Sequence, residues 1–233
     1  MYHKWSKLMD PAIQLIAVEL AGRGKRIHEA LYGSVEQMIE DVFGLVEVDI
    51  KQSSYAFFGH SMGAMIAYLL AQKIRHKNRQ GPIHVFLSAR HAPHVQRGDA
   101  KKYHLMDDFT FKKELISLGG TPPEFFEDAR LTELFLPLLR NDFMLSETPA
   151  GNDWLNPLDC AISVFSGKKD DLTIGECEGW HEHSKRGCKI HYFEGGHFFL
   201  NEEAPEIVRR INETLISSGN IYGVSNNPEY ERR

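Results

Sequence analysis

A serine lies at the centre of a Gly-x-Ser-x-Gly pentapeptide that runs from Gly59 to Gly63. Residues 54–58 before it are aromatic and β-prone, and apolar residues recur at helical spacing after it. This arrangement is typical of a nucleophile elbow, a turn so tight that the flanking positions must be glycine. It predicts that Ser61 is a nucleophile and that the N–H of Met62 stabilises an oxyanion. The strand-and-helix context disfavours the alternative, a chance match in a loop.

A nucleophilic serine needs a base and an orienting acid, and in this type of site the chain order is serine, acid, histidine. The candidate base is His197, which follows two glycines after a predicted strand at 190–193. The alternative for this residue is an ordinary surface histidine. Asp170 and Asp171 are the candidate acids, just beyond a predicted strand at 161–165. Open α/β sheets place their sites at such strand ends, which favours a Ser–Asp–His triad.

The two aspartates are neighbours, so only one carboxylate can point at the imidazole. Gly167 provides a turn at the strand end and places Asp170 three residues later, which favours Asp170. Asp171 is then expected to be solvated or to cap the helix that runs towards Trp180.

Predicted strands and helices alternate along the chain. The strands are expected near 13–20, 54–58, 83–87, 161–165 and 190–193, and the helices at 35–46, after the elbow, around 176–184 and at 204–216. The alternation predicts an α/β fold, with a mostly parallel sheet flanked by helices, in one domain over residues 1–216. Residues 217–233 are expected to form a loose tail.

Residues 99–155 depart from this alternation. They contain helical stretches, one ended by Gly119 and Gly120 and one interrupted by Pro137. A helical insertion between strands predicts a lid over the site. The alternative is that its apolar residues only pack on the core.

Composition limits the classes of function. A chain of 233 residues with 42% hydrophobic residues can bury one core, and a net charge of −5 with mixed signs favours neither nucleic acid nor membrane partners. No apolar run approaches the ~20 residues that span a bilayer, and without a signal-peptide core we expect a cytoplasmic monomer. Three cysteines read as reduced thiols, and His181-Glu182-His183 as a solvated helix, so no metal or cofactor is expected.

Several further stretches resemble one family, the type II thioesterases, which are stand-alone α/β hydrolases that accompany nonribosomal peptide and polyketide synthases. The resemblance covers nearly everything from Tyr2 to about residue 215. The matching stretches are Ala21–Gly24, Phe58–Ala64, Leu87–His94, Leu118–Pro122, Leu134–Phe143 and Gly195–Leu200. The Gly-Gly-Thr-Pro and Leu-Pro-x-x-Arg-x-Asp stretches are more specific than the serine motif. The resemblance implies that Ser61, Asp170 and His197 are nucleophile, acid and base, and that 99–155 is the lid.

The resemblance also implies the substrate, an acyl group held as a thioester on the phosphopantetheine arm of a carrier domain. The expected reaction is editing hydrolysis that clears misprimed or stalled acyl groups. Two other classes stay open at this point: a carboxylesterase acting on small free esters, and a non-catalytic remnant.

One feature departs from the family pattern. The family begins with an apolar strand and a Tyr/Phe-Ala-Gly-Gly loop that supplies a second oxyanion donor, whereas Met1–Trp5 resembles the helix after that loop. A fragment, a start codon placed too late and a degenerate copy all fit this departure. We expect roughly two dozen further residues in the natural protein. Without them the sequence is expected to be poorly soluble and nearly inactive, because strand edges would be left unpaired.

Overall fold

The structure, a computed structural model, describes residues 2–95, 97, 101–149, 151 and 156–217. These residues divide into two compact units. The larger unit extends from residue 18 to 203 and contains all the predicted site residues. The smaller unit combines the described residues 2–17 and 204–217.

A parallel sheet of four strands forms the centre of the larger unit. In spatial order the strands are β1 (Ala56–His60), β2 (His84–Ser88), β3 (Ala161–Gly167) and β4 (Cys188–Phe193). The register pairs His60 with Ser88 and Ser88 with Phe165, so the strands end at the same edge of the sheet. Every residue of β2 is buried, as expected for a parallel strand covered on both faces.

Two helices supply much of the core. Helix α1 (Val35–Gln52) is capped by Ser34, whose side chain accepts a hydrogen bond from the N–H of Gln37. Six apolar residues of α1 recur every three or four positions and are buried, namely Val35, Met38, Ile39, Val42, Phe43 and Val46. Helix α2 (Met62–His76) starts directly after the elbow serine and is buried along most of its length. The predicted helices at these positions are confirmed, although α1 is longer than expected.

The described part of the insertion contains two α-helices, α3 (Asp108–Leu118) and α4 (Ala129–Ser146), and two short 3₁₀ helices, Tyr103–Leu105 and Pro123–Phe126. Asp107 caps the start of α3, and Gly119 ends it with φ of +82°. The interruption predicted at Pro137 is wrong, because α4 runs through this residue. Pro137 lies on the exposed side of α4, where water can bond the carbonyl that loses its helical partner.

The strand predicted at residues 13–20 is also wrong, because this segment contains no strand. Ile16 and Val18 are exposed, so the apolar pattern does not mark a buried face. No described strand pairs with the free edge of β1, so the segment lacks the neighbour that a ladder of hydrogen bonds requires.

The last predicted internal helix is divided in two. Helix α5 (Ile174–Glu178) is followed directly by a 3₁₀ helix at Gly179–His183. Thr173 caps α5 in a capping box with Glu176. Of the two positions predicted for Asp171, solvated or capping this helix, the cap is therefore wrong.

In the smaller unit, the 3₁₀ helix Tyr2–Lys7 packs against α6 (Ala204–Ser217). The Asn212 side chain donates to the carbonyl of Leu8 at 3.0 Å and accepts from the N–H of Asp10 at 3.1 Å. Ser217, predicted to open the tail, is the last residue of α6, and 218–233 lie outside the described residues.

Candidate active site

Ser61 occupies the turn between β1 and α2 with a positive φ of 53°. Such a backbone costs a non-glycine residue about 1–3 kcal/mol. The N–H of Ser61 donates to the carbonyl of Ser88 at 2.8 Å, which stabilises the turn. A Cβ at Gly59 would lie 1.9 Å from the carbonyl oxygen of Gly63, whereas a Cβ at Gly63 would meet nothing within 4 Å. Packing therefore requires glycine at only the first of the two flanking positions, not at both as predicted.

His197 follows β4 and lies between the serine and an aspartate. Its Nε2 is 3.0 Å from Ser61 Oγ, and its Nδ1 is 3.1 and 3.2 Å from the two carboxylate oxygens of Asp170. A carboxylate only accepts hydrogen bonds, so Nδ1 carries the proton and Nε2 is left to accept from the serine hydroxyl. This is the arrangement that general-base activation of a serine needs.

Close backbone contact joins the loops that carry the histidine and the acid. The N–H of Lys169 donates to the carbonyl of Gly195 at 2.9 Å. A Cβ at Gly167 would lie 2.4 Å from the carbonyl oxygen of Gly196, so a side chain there would separate the loops. Glycine at 167 thus serves the approach of the two loops as well as the turn inferred from sequence.

Asp170, rather than Asp171, is bonded to the histidine. The side chain of Asp170 is 2% exposed and accepts a hydrogen bond from the N–H of Asp171 at 2.8 Å. Burial tends to raise the pKa of Asp170, but the hydrogen bond from His197 and its charge outweigh burial, so the pKa lies below its usual value. The side chain of Asp171 is 66% exposed and lies near Arg97, at 3.4 Å.

Met62 is the first residue of α2, directly after the serine. N–H groups in the first turn of a helix have no acceptor within the helix, and the helix dipole adds partial positive charge there. The N–H of Met62 therefore can donate to an oxyanion formed beside Ser61. Its role in the oxyanion hole stays a prediction.

His60 is buried beside the candidate base. Its Nδ1 is 2.9 Å from Ser88 Oγ, while its buried Nε2 has no partner among the described residues. Its ring centroid is 5.3 Å from that of His197. Burial lowers the pKa of His60 to about 3, with a smaller lowering from the charge of His197, so His60 stays neutral next to the site.

This depressed pKa predicts acid-sensitive stability. Below a pH of about 6.5 the unfolded chain protonates His60, whereas the folded protein does not until the pH approaches 3, so stability falls as the pH falls through this window. Between pH 7 and pH 4.5, we expect the unfolding free energy of the wild type to fall by about 2–3 kcal/mol more than that of His60→Asn. Denaturant unfolding at both pH values measures this. The buried His84, whose pKa is about 4, is present in both proteins and cancels. Equal losses in the two proteins would contradict the account.

Three features bear on other classes of site. Within the described part of the chain, no three His, Cys, Asp or Glu side chains are grouped as ligands for a metal ion. The helices described are likewise too short or too polar to cross a bilayer. Cys160, Cys177 and Cys188 are free thiols.

His183, predicted to lie on a solvated helix, is buried, so that prediction is wrong for this residue. Its Nδ1 is 2.8 Å from the hydroxyl of Tyr68, and its Nε2 is 2.7 Å from Nδ1 of His94. In a 3₁₀ helix residues three apart share a side, and Trp180 is buried along with His183. His181 remains exposed.

Two of the stretches that carry the family resemblance, Ala21–Gly24 and Leu87–His94, both bind α4 in the structure. Sequence patterns did not predict these contacts. The guanidinium of Arg23 binds both carboxylate oxygens of Asp142, at 2.7 and 3.1 Å. The residues are 119 positions apart, so spacing gave no sign that they pair. Arg90 anchors the end of the same helix by donating to the hydroxyl and the carbonyl of Ser146, at 2.6 and 2.7 Å.

Arg140, in the Leu-Pro-x-x-Arg-x-Asp stretch, organises the rest of the insertion. It donates to the carbonyls of His104 and Met106 at 2.8 and 2.6 Å and pairs with Asp108 at 2.7 Å. Its guanidinium also lies 4.5 Å from the ring centroid of Phe111. A single cation thus joins α4 to α3 and to the loop before it.

A parallel sheet that carries a strained serine, a histidine and a buried aspartate at one edge defines the class of α/β serine hydrolases. Residues 1–215 match the thioesterase domain family. The chain therefore belongs to the thioesterase family and is an enzyme of this fold.

Named relatives and solved structures agree with this assignment. The chain is 36% identical over 209 residues to the gramicidin S biosynthesis protein GrsT of Aneurinibacillus migulanus, covering 89% of this chain and 80% of the relative. It resembles ClbQ from the colibactin pathway with a TM-score of 0.87 and 29% identity over 94% of this chain and 92% of ClbQ. The type II thioesterase BorB from the borrelidin cluster gives a TM-score of 0.79 and 31% identity over 92% and 86%. The predicted fold and the predicted resemblance to type II thioesterases are confirmed.

Proposed function

We propose that this protein is an editing thioesterase that releases acyl groups from the phosphopantetheine arm of carrier domains of a peptide or polyketide synthase. One observation carries the proposal. In a chain of the thioesterase family, a continuous line of hydrogen bonds joins Ser61, His197 and Asp170. The names of the relatives, which belong to gramicidin S biosynthesis and to the colibactin NRPS/PKS pathway, support the synthase as the partner.

In the proposed reaction His197 Nε2 takes the proton of Ser61 as Oγ attacks the thioester carbonyl. The N–H of Met62 stabilises the oxyanion, and Asp170 holds the imidazole tautomer and its positive form. Collapse of the intermediate expels the phosphopantetheine thiol, which receives the proton. A water activated by the same histidine then hydrolyses the acyl-serine. No cofactor enters these steps.

We propose that the protein acts as a cytoplasmic monomer. We also propose that the insertion is the lid and the element that faces the carrier domain. Both of its α-helices present exposed apolar side chains, with Phe109 of α3 80% exposed and Leu134 of α4 52% exposed. Exposed apolar side chains of this size are typical of contact surfaces. The anchors at Arg23 and Arg90 hold α4 on the body of the larger unit, and the pair of Arg140 with Asp108 joins α3 to α4.

We expect Phe109→Ser combined with Leu134→Ser to raise KM for an acyl-carrier domain about tenfold, because the two changes remove apolar surface that the carrier would bury, and about 1.4 kcal/mol of lost binding energy corresponds to tenfold. The same acyl group on free pantetheine should be hydrolysed at the wild-type rate, since the triad lies outside the insertion. Thiol release measured on both substrates gives the comparison.

Val48→Ser is the matched control, since this apolar side chain on α1 is 62% exposed but lies outside the insertion. It should leave both substrates unaffected. Equal losses on both substrates in the double variant would mean that the insertion serves only the fold. A free ester preferred over the acyl-carrier would instead favour a carboxylesterase.

A further inference from the structure

The loop after α3 contacts the aromatic residue next to the candidate base. A Cβ built on Gly120 would lie 2.3 and 2.4 Å from two carbons at the tip of the Phe198 ring. Real side chains do not approach this closely, so the ring tip occupies the space that any side chain at position 120 needs. The proposed lid therefore contacts the histidine loop directly at this point.

The Phe198 ring also contacts both imidazoles of the site. Its centroid is 5.2 Å from that of His197 in an edge-on arrangement and 5.5 Å from that of His60. The contact with His197 is edge-on and the contact with His60 is tilted by 43°, and the edge-on contact is favourable at this separation and depends on orientation. A ring that moves away from position 120 must therefore change its contacts with the imidazole that binds Ser61.

We propose that Phe198 is a positioning residue for His197, and that Gly120 sets its place by leaving room for the ring tip. The proposal rests on the proposed function, because it concerns the histidine assigned there as base. Ser61 Oγ and His197 Nε2 are 3.0 Å apart, which leaves little tolerance for displacement of the ring. Through this contact, the position of the loop after α3 governs the alignment of the base.

The test compares two adjacent glycines. Gly120→Ala places a methyl group on the ring tip, whereas Gly119→Ala adds a methyl that meets nothing within 4 Å. Gly119 has a positive φ, so its substitution strains the end of α3 without touching Phe198. A misplacement of about 1 Å can cost 10²-fold in rate.

We expect Gly120→Ala to lower kcat for an acyl-pantetheine about 10–100-fold with KM within about twofold, and to slow labelling of Ser61 by a fluorophosphonate to the same extent. Gly119→Ala should lower the melting temperature but keep kcat within about threefold. Phe198→Leu, which removes the ring and its edge-on contact with His197, should itself lower kcat, and adding Gly120→Ala to it should cause little further loss, as a coupled pair requires.

A Gly120→Ala protein with wild-type kcat would overturn the proposal, as would independent, multiplicative effects of the two substitutions. An effect confined to KM would also overturn it, since it would assign the loop to substrate binding. A wild-type protein that fluorophosphonate does not label would overturn the proposed function itself, and this inference with it.

Discussion

Ser61→Ala is expected to reduce hydrolysis of an acyl-carrier to the background rate while leaving the fold intact. Removing the nucleophile of a serine triad can cost on the order of 10⁶ in kcat, because no side chain is left to attack the thioester carbonyl and form the acyl-enzyme. The Ser61 side chain makes no contact that the core depends on, since its hydroxyl faces His197 and its N–H retains the bond to Ser88. Thiol release from purified, folded variant measures the loss.

The control for this variant is structural. Its unfolding midpoint should match that of the wild type, which separates loss of chemistry from loss of fold. More than about 1% residual activity in folded Ser61→Ala, a far smaller loss than removal of a triad nucleophile causes, would assign the nucleophile elsewhere.

Asp170→Asn is expected to lower kcat about 10⁴-fold, whereas Asp171→Asn should stay within about threefold. An amide at position 170 can present its NH₂ to Nδ1, which favours the tautomer whose Nε2–H cannot accept the serine proton. Asp171 is exposed beside Arg97 and has no bond to the imidazole, so losing its charge removes only a surface ion pair. Steady-state kinetics of the two variants on one acyl-pantetheine measures the ratio.

The neighbouring substitutions control each other, since both remove one negative charge at nearly the same place. Similar losses in both would mean that net charge near the site matters more than the bond to His197. A larger loss in Asp171→Asn would exchange the roles of the two residues.

Sequence patterns located the site because the chemistry lies at strand ends, where glycine turns and polar residues stand out. The glycine at 167 pointed to Asp170 by position alone, and the structure bonds Asp170 to His197. Roles in catalysis remain proposals for all the site residues. Residue spacing indicated the order serine, acid, histidine along the chain and the turns at the strand ends, both of which depend on local residues.

Sequence patterns did not predict the features that depend on contacts between distant residues. Residues 13–20 have an apolar pattern, but a strand also needs a neighbour, and pairing is not encoded in the segment itself. Pro137 was expected to interrupt a helical stretch, yet α4 continues through it because water on its exposed side can bond the carbonyl that loses its helical partner. His183 is polar in type but is buried by partners on α2 and in the loop after β2.

The most direct test of the central claim follows the acyl group itself. A carrier domain loaded with an acyl chain is mixed with the protein, quenched within milliseconds to seconds, and the digested peptides are analysed by mass spectrometry. We predict that the acyl mass appears transiently on the peptide containing Ser61 as the carrier returns to its free thiol form, and that His197→Ala abolishes both events. Release of the acyl group from the carrier without any mass on Ser61, or with the mass on another residue, would contradict the account.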